Sequence, residues 1–590
     1  MLKNPTYSTF MNEVDEFISN LSNDDLKKII MNLAEQQNAR NRNDFLKDLK
    51  KINRNATKSE EFDEKIESSP DEFITQIEKF DKRIQSGEFF DEERNYWAYE
   101  QEERSYWGGD DYYDDLGDID FSEEEYVQET IEYLETAKNF FRKKDIHTAF
   151  KAYCLLFDIL NNSEYYESEC FIYGFSFEEA LDSEFLKEHK ALYLRCLYLN
   201  CTDKDDFRPL YQELITGNNI HLSDVIEIAR EPLPRLDEFI DSFIEFLHPQ
   251  PEQDSQLIDV LFIKGGMEEI KKYAYLNGAN HPIVFLYYYE AAKDNISTPS
   301  EKMSILLDGI NLIPEKYYIR SYLSRDLIEI ASELKDKQNL LTGYSTAFYS
   351  NPTLRNFAYY INFIFSENIT SEIEKLRTYI RKHDIKTSMQ SDFYYEEGLF
   401  HQRNIYTMKS VTIGTRTIIL ARYLLEDIDP LIKLIDTQKF LGFSSNNKHI
   451  AIIASLILKS VSRDATVVVV DSLLDHYCFE TDSAEYYTLK RLVENRTKQL
   501  SIDQYLDLDA INKIESLAVN RVSHILNNQK RGGYESSCLL LVACAEVKQL
   551  VSKNGNALIS RIDAEYKRFR AFRKPLKMLT LKSKYLTSVN

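Results

Sequence analysis

Glycine and proline are scarce. The chain has 590 residues, of which only 17 are Gly and 13 are Pro. That is less than half of the ~12% these two types make up in an average protein. Tight hairpins consume both residues, and helix interiors exclude them. The shortage excludes a fold built on many tight β-turns and favours helices joined by short polar turns.

Long apolar runs are missing as well. The richest windows, AIIASLIL (451–458) and CLLLVACAEV (538–547), fall far short of the ~20 residues that span a bilayer. The opening MLKNPTYSTF lacks the apolar stretch of a signal peptide, so a cytoplasmic location is expected. Cysteines are few, odd in number and spread out: Cys154, Cys170, Cys196, Cys201, Cys478, Cys538 and Cys544. Reduced and mostly buried thiols are the expectation. Positive charge is short: 72 Lys and Arg stand against 97 Asp and Glu, a net charge of −25. That weighs against broad contact with nucleic-acid phosphate or anionic lipid.

Local catalytic and metal motifs are absent too. KGGMEE (264–269) and RGGYES (531–536) have no Gly-Lys-Ser/Thr after them and no GxGxxG spacing, and neither GxSxG nor HExxH occurs. The acidic run DDYYDDLGDID (110–120) fails as a calcium loop, because placing Gly117 at the sixth position puts Tyr112 at the first and Leu116 at the fifth. His476 and Cys478 are one residue apart, which points them away from each other on a helix or a strand. Neither His147 nor His401 has a partner nearby in sequence. No metal, cofactor or catalytic residue is assigned, and the leading reading is not an enzyme; an unrecognised enzyme whose residues assemble from distant helices is the least favoured alternative.

What is present is helical period. Ser22 suits the start of a helix carrying Leu26, Ile29, Ile30 and Leu33 on one face. Ser69-Pro70 is a cap with a first-turn proline, followed by the stripe Phe73, Ile77, Phe80 and Ile84. Residues 133–157 resemble a tetratricopeptide unit, with Ala137 and Ala149 where two helices approach closely, a Lys-Asp turn between them and Tyr153 filling the gap. Further helices are expected over 257–275, 281–293, 300–312, 322–334 and 340–349, ending at Asn351-Pro352, then 354–365 and across 537–574. Two β-branched stretches, SVTIGTRTII (410–419) and ATVVVVDSLL (465–474), suit strands by composition. Helical neighbours and the lack of a hairpin partner favour buried helix for both. The expected fold is all-α, a degenerate tetratricopeptide-like solenoid. Its regions are a helical N-terminal part (1–87), an acidic aromatic band (88–122) and a repeat array (123–590).

Four phrases in this order carry a family resemblance: LSNDDLKKIIMNLAEQ, STAFYSNPTLRNF, KFLGFSSNNKHIAIIASLIL and RIDAEYKRFRAFRKPL. The chain resembles the helical-repeat region of largely uncharacterised bacterial and archaeal proteins in which that region often follows a SWIM zinc finger. The resemblance implies a helical scaffold alone. The finger needs Cys-x-Cys and Cys-x-His, and no Cys-x-Cys occurs here.

Two charge features remain. The band at 89–121 holds both tryptophans of the chain, each closing a near-identical hexapeptide, EERNYW and EERSYW. Trp, Tyr and Arg dominate interface energetics. Arg94, Tyr96, Trp97, Arg104, Tyr106 and Trp107 are therefore the expected anchors of a protein partner, with the surrounding acids selecting a basic one. The competing reading packs both tryptophans back onto this chain's own helices. At the other end, 567–584 carries eight Lys or Arg and no acid, with Phe569 and Phe572 interleaved. An alternative function assigns nucleic-acid contact to Lys567, Arg568, Arg570, Arg573, Lys574 and Lys577. The cations also suit the C-terminal end of a last helix, and the tail also suits contact with the acidic band. The leading reading is a non-catalytic protein-binding scaffold.

Overall fold

The computed structural model describes residues 17, 21–35, 69–90, 124–162, 177–204, 206–216, 220–293, 298–385, 413–438, 448–462, 465–479, 484–499 and 508–587. Among them the architecture is all-α, with no strand. The six expected anchors between Arg94 and Trp107 lie outside the described residues, as does most of the acidic band.

Packing divides the chain into two units, Met1–Ile270 and Lys271–Asn590. Composition marks a boundary at 88–122, whereas packing marks one after Ile270. The first unit holds α1 (Asn23–Glu35), α2 (Pro70–Gln85), α3 (Glu125–Arg142), α4 (Ile146–Asn162), α5 (Phe177–Ala180), α6 (Ser183–Lys204), α7 (Arg208–Thr216), α8 (Leu222–Glu227) and α9 (Leu236–Leu247). The chain crosses into the second unit within α10 (Asp254–Asn277), which is broken at Gly266, where φ is 66°. Next come α11 (Pro282–Lys293), α12 (Pro299–Leu312), α13 (Ile319–Glu333), α14 (Lys337–Ser350), α15 (Leu354–Ser366) and α16 (Thr370–Arg381). The remainder is α17 (Thr415–Leu424), α18 (Asp429–Thr437), α19 (Lys448–Ser462), α20 (Val468–Cys478), α21 (Ala484–Gln499), α22 (Leu508–Asn527), α23 (Tyr534–Ser552), α24 (Gly555–Glu565) and α25 (Arg570–Lys582).

Helix α2 forms as its sequence dictates. Ser69 precedes Pro70, and the Glu72 carboxylate accepts from the Ser69 amide at 2.9 Å. Phe73, Ile77, Phe80 and Ile84 are all buried. Phe73 stacks on Phe140 of α3 at 5.2 Å, and Arg83 reaches Glu129 of α3 through two bonds, at 2.8 and 3.0 Å. Helix α1 follows its Ser22 start, but Ile30 of the expected apolar face is 43% exposed.

Helices α3 and α4 form an antiparallel hairpin. Ala137, Ala149 and Tyr153 are all fully buried. The turn closes with Lys144 at φ 65°, donating to Phe141 O, while Asp145 donates to Phe140 O and caps α4 through Thr148 N. The α13/α14 hairpin repeats this turn. Lys335 at φ 55° donates to Ser332 O, Asp336 donates to Ala331 O, and Asp336 caps α14 through Asn339 N. In both hairpins a small residue lies on the same register after the capping Asp: Ala152 and Gly343. A Cβ on Gly343 would sit 2.6 Å from Ile328 Cγ1, so the two helices touch only because it is absent.

The same left-handed closure recurs at Asn368, Glu426 and Gln529. Among the described residues, these five turns and the left-handed Lys553 after α23 place an ordinary residue where glycine is usual. This is how a chain so poor in glycine still turns. Elsewhere arginine ends helices: Arg496 donates to Leu424 O at 2.6 and 2.9 Å, and Arg377 donates to Leu425 O at 3.0 and 3.2 Å, both at the end of α17.

Both ambiguous β-branched stretches are helical where described, from Thr415 and from Val468, and lie in the core of the second unit. Its centre is α23, buried from Ser537 to Val547 and packed against α19, α20, α22, α24 and α25. Helix α15 likewise packs on α21, far along the chain. These long-range contacts exceed the nearest-neighbour stacking of an ideal solenoid.

Candidate interaction surface

The site is built on α23. Glu546 is fully buried there. Its Oε2 accepts the amides of Val469 and Val470 at 3.0 and 3.2 Å, free donors in the first turn of α20. Its Oε1 accepts the Ser583 hydroxyl at 2.6 Å, just beyond α25. Burial pushes this carboxyl above its ordinary value, against the pull of these three donors. One side chain therefore ties α20, α23 and the segment after α25 together.

Helix α25 lies against α23 through Phe572, Leu576, Leu579 and Thr580. The Cys538 thiol of α23 points to Phe572 O at 3.7 Å, and the rings of Tyr534 and Tyr566 meet Phe572 edge-on. Arg573 grips Asp563 of α24 bidentately, at 2.5 and 2.6 Å, which holds that carboxyl below its ordinary value. Thr587 N donates to Asn556 Oδ1 at 2.9 Å. The last helix is fixed at both ends.

The six cations read from sequence separate on this scaffold. Lys567, Arg568, Arg570 and Lys574 are exposed, Lys577 is half-buried, and Arg573 is committed to Asp563. Phe572 is fully buried and Phe569 half-buried, so Phe572 offers no ring for base stacking. Sequence reading missed the apolar part of the face: Met578 is 55% and Leu581 68% exposed. Their spacing from Lys574 is the available signal, since i, i+4 and i+7 share one side of a helix.

A second polar constellation lies in the first unit. His189 of α6 is fully buried, with Nδ1 3.2 Å from the Tyr153 hydroxyl and Nε2 3.4 Å from Glu135. Lys138 bridges Glu135 and Glu188 at 3.4 and 2.8 Å. Burial pushes His189 below its ordinary value, against the pull of Glu135. Burial alone would raise Glu135, but His189 and Lys138 outweigh it and hold the carboxyl down to about 2. The group sits inside the α3, α4 and α6 packing, and nothing in the sequence spacing foretold it. His476 is exposed while Cys478 is fully buried, as the spacing of that pair required. The described residues hold no group of three metal-ligating side chains, and none of their helices is long and apolar enough to cross a membrane.

Comparison with known proteins finds no matching family model, no matching curated protein and no matching solved structure.

Proposed function

We propose that the chain is a non-catalytic protein-binding scaffold on a degenerate tetratricopeptide-like frame. The observation that carries this reading is the pair of helical hairpins, α3/α4 and α13/α14, built on one turn and one register. Helix pairs of this kind bury their cores between themselves and leave long surfaces for partners. The acidic band enters from Phe89, whose ring packs on Tyr126 at 5.6 Å with the Arg83 guanidinium 4.8 Å from it. Phe89, in the described start of the band, thus packs against α2 and α3. Arg94, Tyr96, Trp97, Arg104, Tyr106 and Trp107 are the anchors assigned to a partner, a basic protein by charge.

The test is capture from source lysate with the full chain and with W97A/W107A, read by mass spectrometry. The reading expects a protein enriched by the full chain and lost by the still-folded variant. Equal enrichment by both would remove the tryptophans from the interface.

A further inference from the structure

We propose that the outer face of α25 is a docking surface for an acidic amphipathic helix of a partner protein. This rests on the scaffold reading but uses a different surface from the tryptophan band.

Three observations converge. The first is charge. Lys567, Arg568, Arg570, Lys574, Lys582 and Lys584 are all exposed, and no Asp or Glu occurs from Tyr566 to Thr587. On a chain of net charge −25 this is a local reversal of sign, which concentrates acidic ligands and orients them. The second is apolar area. Arg570, Lys574, Met578 and Leu581 follow i, i+4, i+8 and i+11, one face of about 17 Å at 1.5 Å per residue. Met578 and Leu581 lie at one end of it, more than half exposed. Cations with two adjoining apolar side chains match an acidic helix that carries its own apolar stripe. A phosphate backbone would leave Met578 and Leu581 unused, and Phe572 is turned into the core. The third is rigidity. The Asp563–Arg573 pair, the Glu546–Ser583 bond and the Asn556–Thr587 bond hold the helix before any partner arrives. A preformed face loses little freedom on binding.

The experiment uses the full chain and a labelled synthetic peptide rich in Glu, with leucines on one helical face. A second peptide has the same composition with the leucines scattered. Binding of the first peptide is expected, weakened about tenfold by M578S/L581S and at least as much by K574E/K582E. The scattered peptide is expected to bind less tightly than the first. All four positions are exposed, so unchanged melting of both variants is expected, and W97A/W107A should bind the peptide normally. Four results would overturn the proposal: no binding; equal binding of both peptides with M578S/L581S silent; displacement of the peptide by single-stranded DNA; or self-association of the chain that K574E/K582E abolishes. If any of these holds while lysate capture still depends on Trp97 and Trp107, the scaffold reading stands and only the α25 surface falls.

Discussion

Changing Glu546 to Ala and to Gln should give opposite results. The alanine variant leaves the amides of Val469 and Val470 and the Ser583 hydroxyl without their acceptor, inside a fully buried space. Each orphaned group costs roughly 1–3 kcal/mol. Allowing one or two to find other partners, the loss is about 4 kcal/mol. The glutamine variant keeps an oxygen for the two amides and offers its NH2 to the serine oxygen. It also removes a charge that burial disfavours, since the carboxyl is raised above 4.5. Its stability at neutral pH should equal or slightly exceed that of the native chain. A group whose folded value is raised contributes stability that is complete below pH 4.5 and lost as pH rises through the raised value. The glutamine variant lacks that dependence. Amide hydrogen exchange at Val469 and Val470 reads the effect locally: about 4 kcal/mol corresponds to roughly a thousandfold faster exchange. A glutamine variant as damaged as the alanine one would refute this account of α20, and so would an alanine variant that exchanges like the native chain.

Three further outcomes follow from the geometry. Lys335→Gly relieves a left-handed side chain that costs about 1–2 kcal/mol, against ~0.5–1 kcal/mol of added chain entropy, so a small rise in the calorimetric transition of the second unit is expected. A fall would show that the lysine side chain matters more than its backbone. Gly343→Ala forces a methyl against Ile328 and should destabilise the second unit by about 1–3 kcal/mol, seen as a lower denaturation midpoint. The Glu135 carboxyl, held down to about 2 against an ordinary 4.5, gives a contribution complete above pH 4.5 and lost as pH falls toward 2, worth at most about 3 kcal/mol. Glu135→Gln should flatten acid unfolding of the first unit in that window, followed by near-ultraviolet circular dichroism; an unchanged acid limb would contradict the network.

Element type was legible wherever apolar period and caps agree. The stripe of α2, the burial of Ala137, Ala149 and Tyr153, and the stop at Asn351-Pro352 all sit where period and turn chemistry place them. The two helices of the second hairpin are legible by period, over 322–334 and 340–349, but the geometry of the turn between them is not. A left-handed lysine before a capping aspartate is invisible to composition, since lysine rarely adopts that conformation. The Glu546 hub could not be read either: it joins residues about 77 and 37 positions apart, and long-range pairing leaves no local pattern. The basic tail was legible as charge, but the split between Arg573, locked to Asp563, and the exposed Lys574 depends on which side of α25 faces α23.

The measurement that bears most directly on the scaffold reading is the affinity of the captured partner for the full chain and for W97A/W107A, by titration calorimetry. Interface tryptophans that anchor binding are worth at least about 2 kcal/mol, so a loss of about 30-fold or more is expected, with both proteins melting alike. Equal affinity for the two would contradict it, and would place the partner elsewhere on the helical surface.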